Sequence, residues 1–576
     1  MLINGALINA AAINAGARRA TAPIQTEVVV LPEGARWSLR VMLGSVDISA
    51  RLTGRVKLDI EANAARFCHL SLVAEPGLID LDSWSGKTLQ VYRRRYEGES
   101  LVSETLRFTG LTLPAQYDHW RNVIALSASC DRQNRLEQMS VEQIDALVPG
   151  HYATAVSGEL TSHYEYAEAR RQTLPIDLDC APDGALRVTS WRAAAVPHFA
   201  FGADAIIAGS LRVVPATEQP LNKLELTLEY RYVRLRHREH GYVWEHPAGS
   251  FCVWLSRSSE LPTLSMLTDA LSQADWDLLG EPSIEALPPS MPDPCGNGGA
   301  WINTFTADPH MLGFTVQVAR RTAQTLTERY SLVLEAPGSI ATFGERLERE
   351  RYNDDVDYDS RSWEALPASA RPTGATQDSL NDWVVDQDDA ARRSAVLLTG
   401  LHREAVRIEE SHRRTRVTWL TPITDAVYDT AHTCQVDAGG IQARGKVAAI
   451  QQTWDLDSGS EIAAIELAIY RGGEAATADE LVQPPRPEID LGAAPPGSTV
   501  LATQLGGDQL SPPYDEALDG FAGNYSVPWP GSQTCPRRLQ IATPDIDAAY
   551  RDPTEAEGAS LYRLNIPTDL LITEVA

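Results

Sequence analysis

The sequence predicts a mainly β chain of multidomain α+β type. Two small β-barrel domains flank mixed middle domains, and a Pro-rich extended arm follows at the C-terminal end. Three observations predict this. The chain has 576 residues, which at roughly 100 to 200 residues per domain exceeds one compact unit. Apolar and polar residues alternate with period 2 in many short segments between 25 and 130, and again between about 405 and 475. Thirteen of the 35 prolines fall after residue 475, where they remove backbone donors and fix φ.

Taken in order, residues 1–24 hold three pentads with Ile3, Ile8 and Ile13 each followed by Asn, read as an N-terminal arm. No basic region precedes them and Asn interrupts the apolar run, so they are not read as a secretory signal. Residues 25–150 form the first barrel domain: Val56, Leu58 and Ile60 alternate with Lys57 and Asp59, and Ile124, Leu126 and Ala128 with Ser127 and Ser129. Its last part, Asp131 to Leu147, shifts to helical spacing and ends at Pro149-Gly150. Residues 151–300 are a middle domain. There Leu221 to Leu235 alternates as a long strand, and Leu264, Leu267, Leu271, Ala274 and Leu278 give the best helix in the chain. Pro282 to Gly299 reads as a surface loop or linker. Residues 301–404 are a second middle domain, strand-rich from Phe314 to Leu334, with Asn353 to Asp389 as a mobile acidic insertion. Residues 405–475 form the second barrel domain. Residues 476–576 are the Pro-rich arm, running extended and pinned by aromatics.

The two barrel segments share a weak repeat. Gly110-Leu-Thr-Leu leads to Tyr117-Asp118 and the return Ile124 to Ala128, while Gly445-Lys-Val leads to Trp454-Asp455, a Gly459 turn and the return Ile462 to Ile469.

Fifty Lys and Arg against 77 Asp and Glu give a net charge of −27, which argues against a protein built to grip duplex nucleic acid by phosphate neutralisation. No window of about 18 apolar residues escapes a charge or turn residue, so no stable membrane insertion is expected. Seven scattered cysteines without C-x-x-C spacing give neither a disulfide framework nor a zinc knuckle, and point to folding in a reducing cytoplasm.

Several constellations invite chemistry. Gly86-Lys87-Thr88 imitates a phosphate loop, but Leu81 stands where that motif needs Gly and Leu89 begins a strand, so it reads as a strand-entry turn. Asp355, Asp357 and Asp359 have calcium-loop spacing. Ser360 and Leu366 replace the required Gly and Glu, which excludes an EF-hand and leaves a solvated acidic loop or an irregular calcium site. His237, His240 and His246 bracket an apparent hairpin, Arg236 to Glu245. Arg234, Arg236 and Arg238 oppose a zinc ion there, so surface or interface histidines are the better reading. No nucleophile elbow or H-E-x-x-H occurs, and Cys68-His69, adjacent in a strand, face opposite sides. No catalytic, cofactor-binding or metal-ligating residue is assigned, no cofactor is called, and the chain is not read as an enzyme. Paired carboxylates for sugar hydrolysis stay open, because their approach is spatial. Trp244, Trp254 and Trp301 are candidates for an exposed aromatic face.

The ordered segments Asp47-Ile-Ser-Ala-Arg-Leu-Thr-Gly-Arg-Val, Leu70-Ser-Leu, Trp84-Ser-Gly-Lys, Phe108-Thr-Gly, Tyr117-Asp118 and Cys130-Asp-Arg-Gln-Asn-Arg-Leu resemble the first domain of tailed-bacteriophage, siphophage-like, baseplate or tail-tip hub proteins. Gly445-Lys-Val, Trp454-Asp455, Ser458-Gly459 and Ile465-Glu-Leu-Ala-Ile resemble the last hub domain. Arg320-Arg321 through Tyr330 to Ala336-Pro337-Gly338 resembles an intermediate one, and the pentads are similar to openings of siphophage tail proteins. The resemblance spans roughly 250 to 300 residues. It implies a structural virion protein: a homotrimer whose barrels form a six-membered ring between the tail tube and a distal fibre or spike, assembled in the bacterial host cytoplasm. DNA would pass through at ejection without specific binding. The alternatives are a tail-associated cell-wall or polysaccharide hydrolase and a receptor-binding adhesin. On the hub reading, the basic clusters Arg93-Arg94-Arg95 and Arg413-Arg414 face protein partners.

Overall fold

A computed structural model describes residues 25–31, 36–305, 307–473, 477–507, 513–526, 531–543 and 548–574. The N-terminal pentads lie outside the described residues. Strand accounts for 43% and helix for 17%, so the chain is mainly β with some helices, in several sheets.

The largest sheet has 16 strands and draws on both ends of the chain. Its organising element is the strand Ile441–Asp455. One of its edges is divided between two partners: Thr433–Ala438 pairs with residues 441–446, and Leu52–Glu61 with residues 449–455. Ser460–Ile469 pairs along the opposite edge. A fifteen-residue strand is long enough to serve both, and so the first segment's sheet, which continues through Phe67–Val73, Val123–Ser129, Ser100–Thr112, Thr88–Glu97 and Arg36–Leu43, is continuous with the second's. This corrects the expectation of two small barrels: among the described residues no sheet closes on itself, and one core runs from Leu39 through Phe108 to Trp454 and Ile469.

The second sheet, nine-stranded, is built on the pair Lys223–Glu245 and Met311–Glu335, antiparallel in continuous register from Lys223↔Glu335 to Glu245↔Gly313. The alternation read in Leu221 to Leu235 thus extends ten residues further. The apparent hairpin at Arg236 to Glu245 is one unbroken strand, because His, Arg and Glu at its far end are held by neighbouring elements instead of turning into solvent. The helix Ala390–Ser411 packs Val396, Leu397, Leu401, Ala405 and Ile408 against Leu224, Leu226 and Leu228 of this sheet, and Asp389 caps it by accepting from Arg392 N at 2.9 Å. It is longer than the helix Leu264–Gln273, which is present where its periodicity placed it but ends before Leu278, a residue of the strand Asp277–Leu278. The helices Arg132–Glu137 and Val141–Leu147 fulfil the helical spacing after Asp131, and share a core with the helix His163–Arg171 and the strand Ile176–Cys180.

The stretch from Asn353 to Asp389, expected as a mobile insertion, is packed in place. Trp383–Asp386 pairs with Lys223–Glu245, and Asp382 accepts two hydrogen bonds from the Arg238 guanidinium at 2.8 Å. Asp354, Asp378, Asp382 and Asp386 pair with arginines, whereas Asp355, Asp357 and Asp359 are exposed.

The C-terminal hundred residues also depart from a purely extended arm. Residues 477–497 do run without strands, held by Tyr562 Oη donating to the Val482 carbonyl at 2.8 Å. Beyond them Ala502–Gly506, Gly520–Asn524 and Arg538–Gln540 form a small sheet, and Thr554–Arg563 adds in parallel to Met311–Glu335. Each of these strands is free of proline, so the spacing of the prolines decides, and not their number. Cys252 and Cys295 form a disulfide, 5.3 Å between Cα atoms, which corrects the expectation of none; the helix Phe251–Arg257 packs the two together through aromatic contacts that sequence spacing does not reveal.

Candidate functional site

The functional candidate with the greatest extent is the place where the chain's two ends interlock. Leu52–Glu61 and Ile441–Asp455 meet in register from Arg55↔Asp455 to Glu61↔Ala449, and Arg55 Nε donates to Asp455 Oδ2 at 2.9 Å. Beneath the joined sheet lie two ionic clusters. Arg93 is buried and donates to Glu461 at 2.8 and 2.7 Å and to Asp425 at 2.6 Å, while Arg107 donates to the carbonyls of Ala426, at 2.8 Å, and Thr424. Asp429 Oδ2 receives Arg66 at 3.0 Å and Arg187 at 2.9 Å, and Arg187 also reaches Asp179 at 2.7 Å. Burial alone would raise the Asp429 pKa, but the His432 contact and the Arg187 and Arg66 charges outweigh it and hold the carboxyl far below the usual range. Lys446, buried nearby, is pushed down to about 8 by desolvation against the pull of Asp177 and Asp179.

The two aromatic-Asp pairs prove to be the same device. Asp118 Oδ1 accepts from the backbone N–H groups of Trp120 and Arg121 at 3.0 and 3.2 Å, and Asp455 Oδ1 from those of Asp457 and Ser458 at 3.1 and 3.0 Å. Each caps the turn of a hairpin two and three residues on, which is the local reason for Asp at that place. The glycines that open the two segments also correspond. Both lie within strands, where an added Cβ would stand 2.3 Å from the Ser129 oxygen at Gly110 and 2.7 Å from the Ala468 oxygen at Gly445.

At one end of the joined sheet two large apolar side chains are exposed among charged neighbours. Trp120 is 95% exposed at its hairpin tip and Leu78 fully exposed in the adjoining loop. The backbone of Ala74 and Asn122 ties the two loops together at 2.9 Å.

The other sequence candidates separate. Gly86-Lys87-Thr88 is a strand-entry turn, with Gly86 at positive φ and Thr88–Glu97 following. Asp355 ends a strand and stands 3.7 Å from Arg231, whereas Asp359 caps the helix Ser360–Glu364; among the described residues no group of three His, Cys, Asp or Glu could hold a metal ion. His237 is fully buried, His240 contacts Thr499 at 2.9 Å, and His246 contacts Ser259 at 2.7 Å, so the three do not converge. Cys68 is buried and His69 exposed, on opposite faces as expected. The basic clusters are spent within the chain, contrary to expectation. Arg94 pairs with Glu104 on the next strand and Arg95 with Asp425 of a loop, while Arg413 lies over the Trp191 ring and Arg414 pairs with Glu218.

Of the three tryptophans, Trp244 is a core residue, donating to Thr503 at 2.8 Å and stacked on Phe314. Trp254 and Trp301 meet edge-on at 6.2 Å and line a cleft of about 440 Å³ with Phe305, Tyr525, Asn524 and Arg537. The disulfide lies on the same helix as Trp254, and periodicity gives no sign of the cleft.

No helix of the described residues is long and apolar enough to cross a membrane. No family model matches the chain, and no curated protein matches it. Solved structures similar to it include the tail protein from Neisseria meningitidis MC58, at 10% identity and TM-score 0.35, covering 75% of this chain and 96% of that one. The 43 kDa tail protein of prophage MuSo2 from Shewanella oneidensis matches at 10% identity and TM-score 0.33 over 75% and 98%. The lidded PdpA-VgrG complex of Francisella matches at 5% identity and TM-score 0.30, over 78% of this chain and 55% of that one. At a coarse level, the chain is structurally similar, though distantly, to phage tail proteins and to a VgrG-containing complex.

Proposed function

We propose that the chain is the structural hub of a phage tail tip or baseplate, a trimeric symmetry adaptor between tail tube and distal fibre or spike, and that it has no catalytic role. The observation that carries this reading is the joined sheet. Segments distant along the chain, with Asp-capped hairpins of the same construction, form one sheet, and Leu78 and Trp120 at its loops are unburied. Two similar elements per chain give a threefold ring six related surfaces to set against a sixfold tube. The net charge of −27 suits a conduit from which DNA must slide free. Native mass spectrometry tests this: a threefold mass is expected, and a clean monomer at high concentration overturns it. Intact peptidoglycan and capsule in a zymogram are expected; clearing would favour the hydrolase reading.

A second reading, receptor binding, is favoured by the cleft of Trp254, Trp301, Phe305 and Tyr525, whose flat rings suit a saccharide face. Glycan-array binding lost in Trp301→Ala would establish it.

A further inference from the structure

The strand Met311–Glu335 is covered along its whole length on one side by Lys223–Glu245, but on the other side its cover is interrupted. Asp277–Leu278 pairs as far as Ala319, and Thr554–Arg563 takes over only at Leu326. Residues 320–325 therefore have no strand partner on that edge. The helix Ser360–Glu364 fills part of the gap: Glu364 accepts from Ala323 N at 3.0 Å, and Trp363 Nε1 donates to the Thr322 carbonyl at 3.2 Å. Beside it opens a cavity of about 680 Å³.

Because this cavity wraps around a strand edge, Arg320 and Arg321 both line it although neighbours in a strand face opposite sides. Trp276, Arg551, the acids Asp275, Asp277 and Glu364 and the hydroxyl residues Thr268, Ser272 and Thr322 also line it. The hydrogen bonding is lopsided. Among the described residues, Arg320 Nη1 and Arg321 Nε have no acceptor, and Arg321 otherwise reaches only the Ala370 carbonyl, at 3.4 Å. Asp277 and Glu364 already accept backbone N–H groups, from Ala368 at 2.6 Å and Ala323 at 3.0 Å, and Asp275, 78% exposed, stands 3.7 Å from Arg320. Arg321 is held flat, its guanidinium carbon 4.2 Å from the Trp363 ring centre. Three arginines thus converge on one cavity, and arginine presents a fork that matches the oxygens of phosphate and carboxylate.

We propose that this notch binds a sugar-sized ligand through an oxyanion, phosphate or carboxylate, seated against Arg320, Arg321 and Trp276, with Arg551 closing the wall. The volume is that of a small-molecule site and exceeds what a bare ion needs. The site stands independently of the hub reading.

Titration calorimetry of the full chain with glucose 6-phosphate, glucuronate and glucose at constant ionic strength tests it, and the first two arms distinguish phosphate from carboxylate. Binding of at least one acidic sugar and none of glucose is expected, weakened at least tenfold in Arg320→Gln and in Arg551→Gln. Arg551→Gln lies on a short helix at the rim and guards against a folding defect in the first variant. No binding of either acidic sugar at millimolar concentration, equal binding of glucose, or affinity unchanged in both variants would overturn the proposal.

Discussion

Replacing Asp429 by Asn removes the charge that two arginines share beneath the joined sheet. The Asp429 and Arg66 side chains are 3% and 2% exposed, so neither is screened by solvent. Arg187 retains Asp179, but Arg66 loses its one ion pair among the described residues, where its Nε and Nη1 already lack partners. Breaking a buried pair from one side costs about 3–5 kcal/mol, because the remaining charge stays desolvated. At 1.36 kcal/mol per decade, this corresponds to a rise of roughly 10² to 10⁴ in the local opening constant. The chain holds several cores, so a single unfolding midpoint is the wrong readout; hydrogen exchange of peptides covering 176–190 and 429–438 reports the region itself. The pH dependence follows from the sign. The folded carboxyl lies below its unfolded value of about 3.9, so its stabilisation is fully present above that value and is withdrawn as pH falls through and below it. The difference between wild type and variant should be constant above about pH 5 and shrink towards pH 2. A variant within about 1 kcal/mol of wild type at pH 7, or a difference that does not change between pH 5 and 2, would refute the reasoning.

Reduction of the Cys252–Cys295 bridge, which closes a sequence separation of 43 residues, should loosen the aromatic cleft by about 4 kcal/mol on the chain-entropy model, read as faster exchange in residues 251–305 and checked by mass after alkylation with and without reductant. Trp120→Ala, at a 95% exposed tip, should change stability by less than about 0.5 kcal/mol yet prevent assembly into the proposed trimer, measured by native mass spectrometry. Gly445→Ala places a methyl 2.7 Å from the Ala468 oxygen and 2.6 Å from Ile469 Cδ1, and should cost about 1–3 kcal/mol locally, read as faster hydrogen exchange in peptides covering 441–469. Truncation after Gly473 removes Tyr562, Leu564 and Ile566 from one core and Leu501, Leu505 and Phe521 from another, so the shortened chain should bind a hydrophobic dye that the full chain does not.

Where the physics is local, the sequence carried it. Alternation placed Leu52–Glu61, Val123–Ser129 and the start of Lys223–Glu245; apolar spacing placed Leu264–Gln273; and the aromatic-Asp pairs marked two hairpin turns, because an Asp carboxylate caps amides only two and three residues away. The helix Ala390–Ser411 is equally legible, from Val396, Leu397, Leu401, Ala405 and Ile408 after the Asp389 cap. Tertiary structure alone decided which strands share a sheet. Ile441–Asp455 can fork between Thr433–Ala438 and Leu52–Glu61 only after the chain ends have met, and pairing energy is the same for a near or a distant partner of matching pattern. It likewise decided that Arg93 and Arg95 face inward, that Asp378 and Asp382 neutralise Arg236, that Cys252 meets Cys295, and that Arg320 and Arg321 border an interrupted edge. Charge and thiol contacts have no period along the chain, so the partners become known only when the fold brings them within a few ångströms.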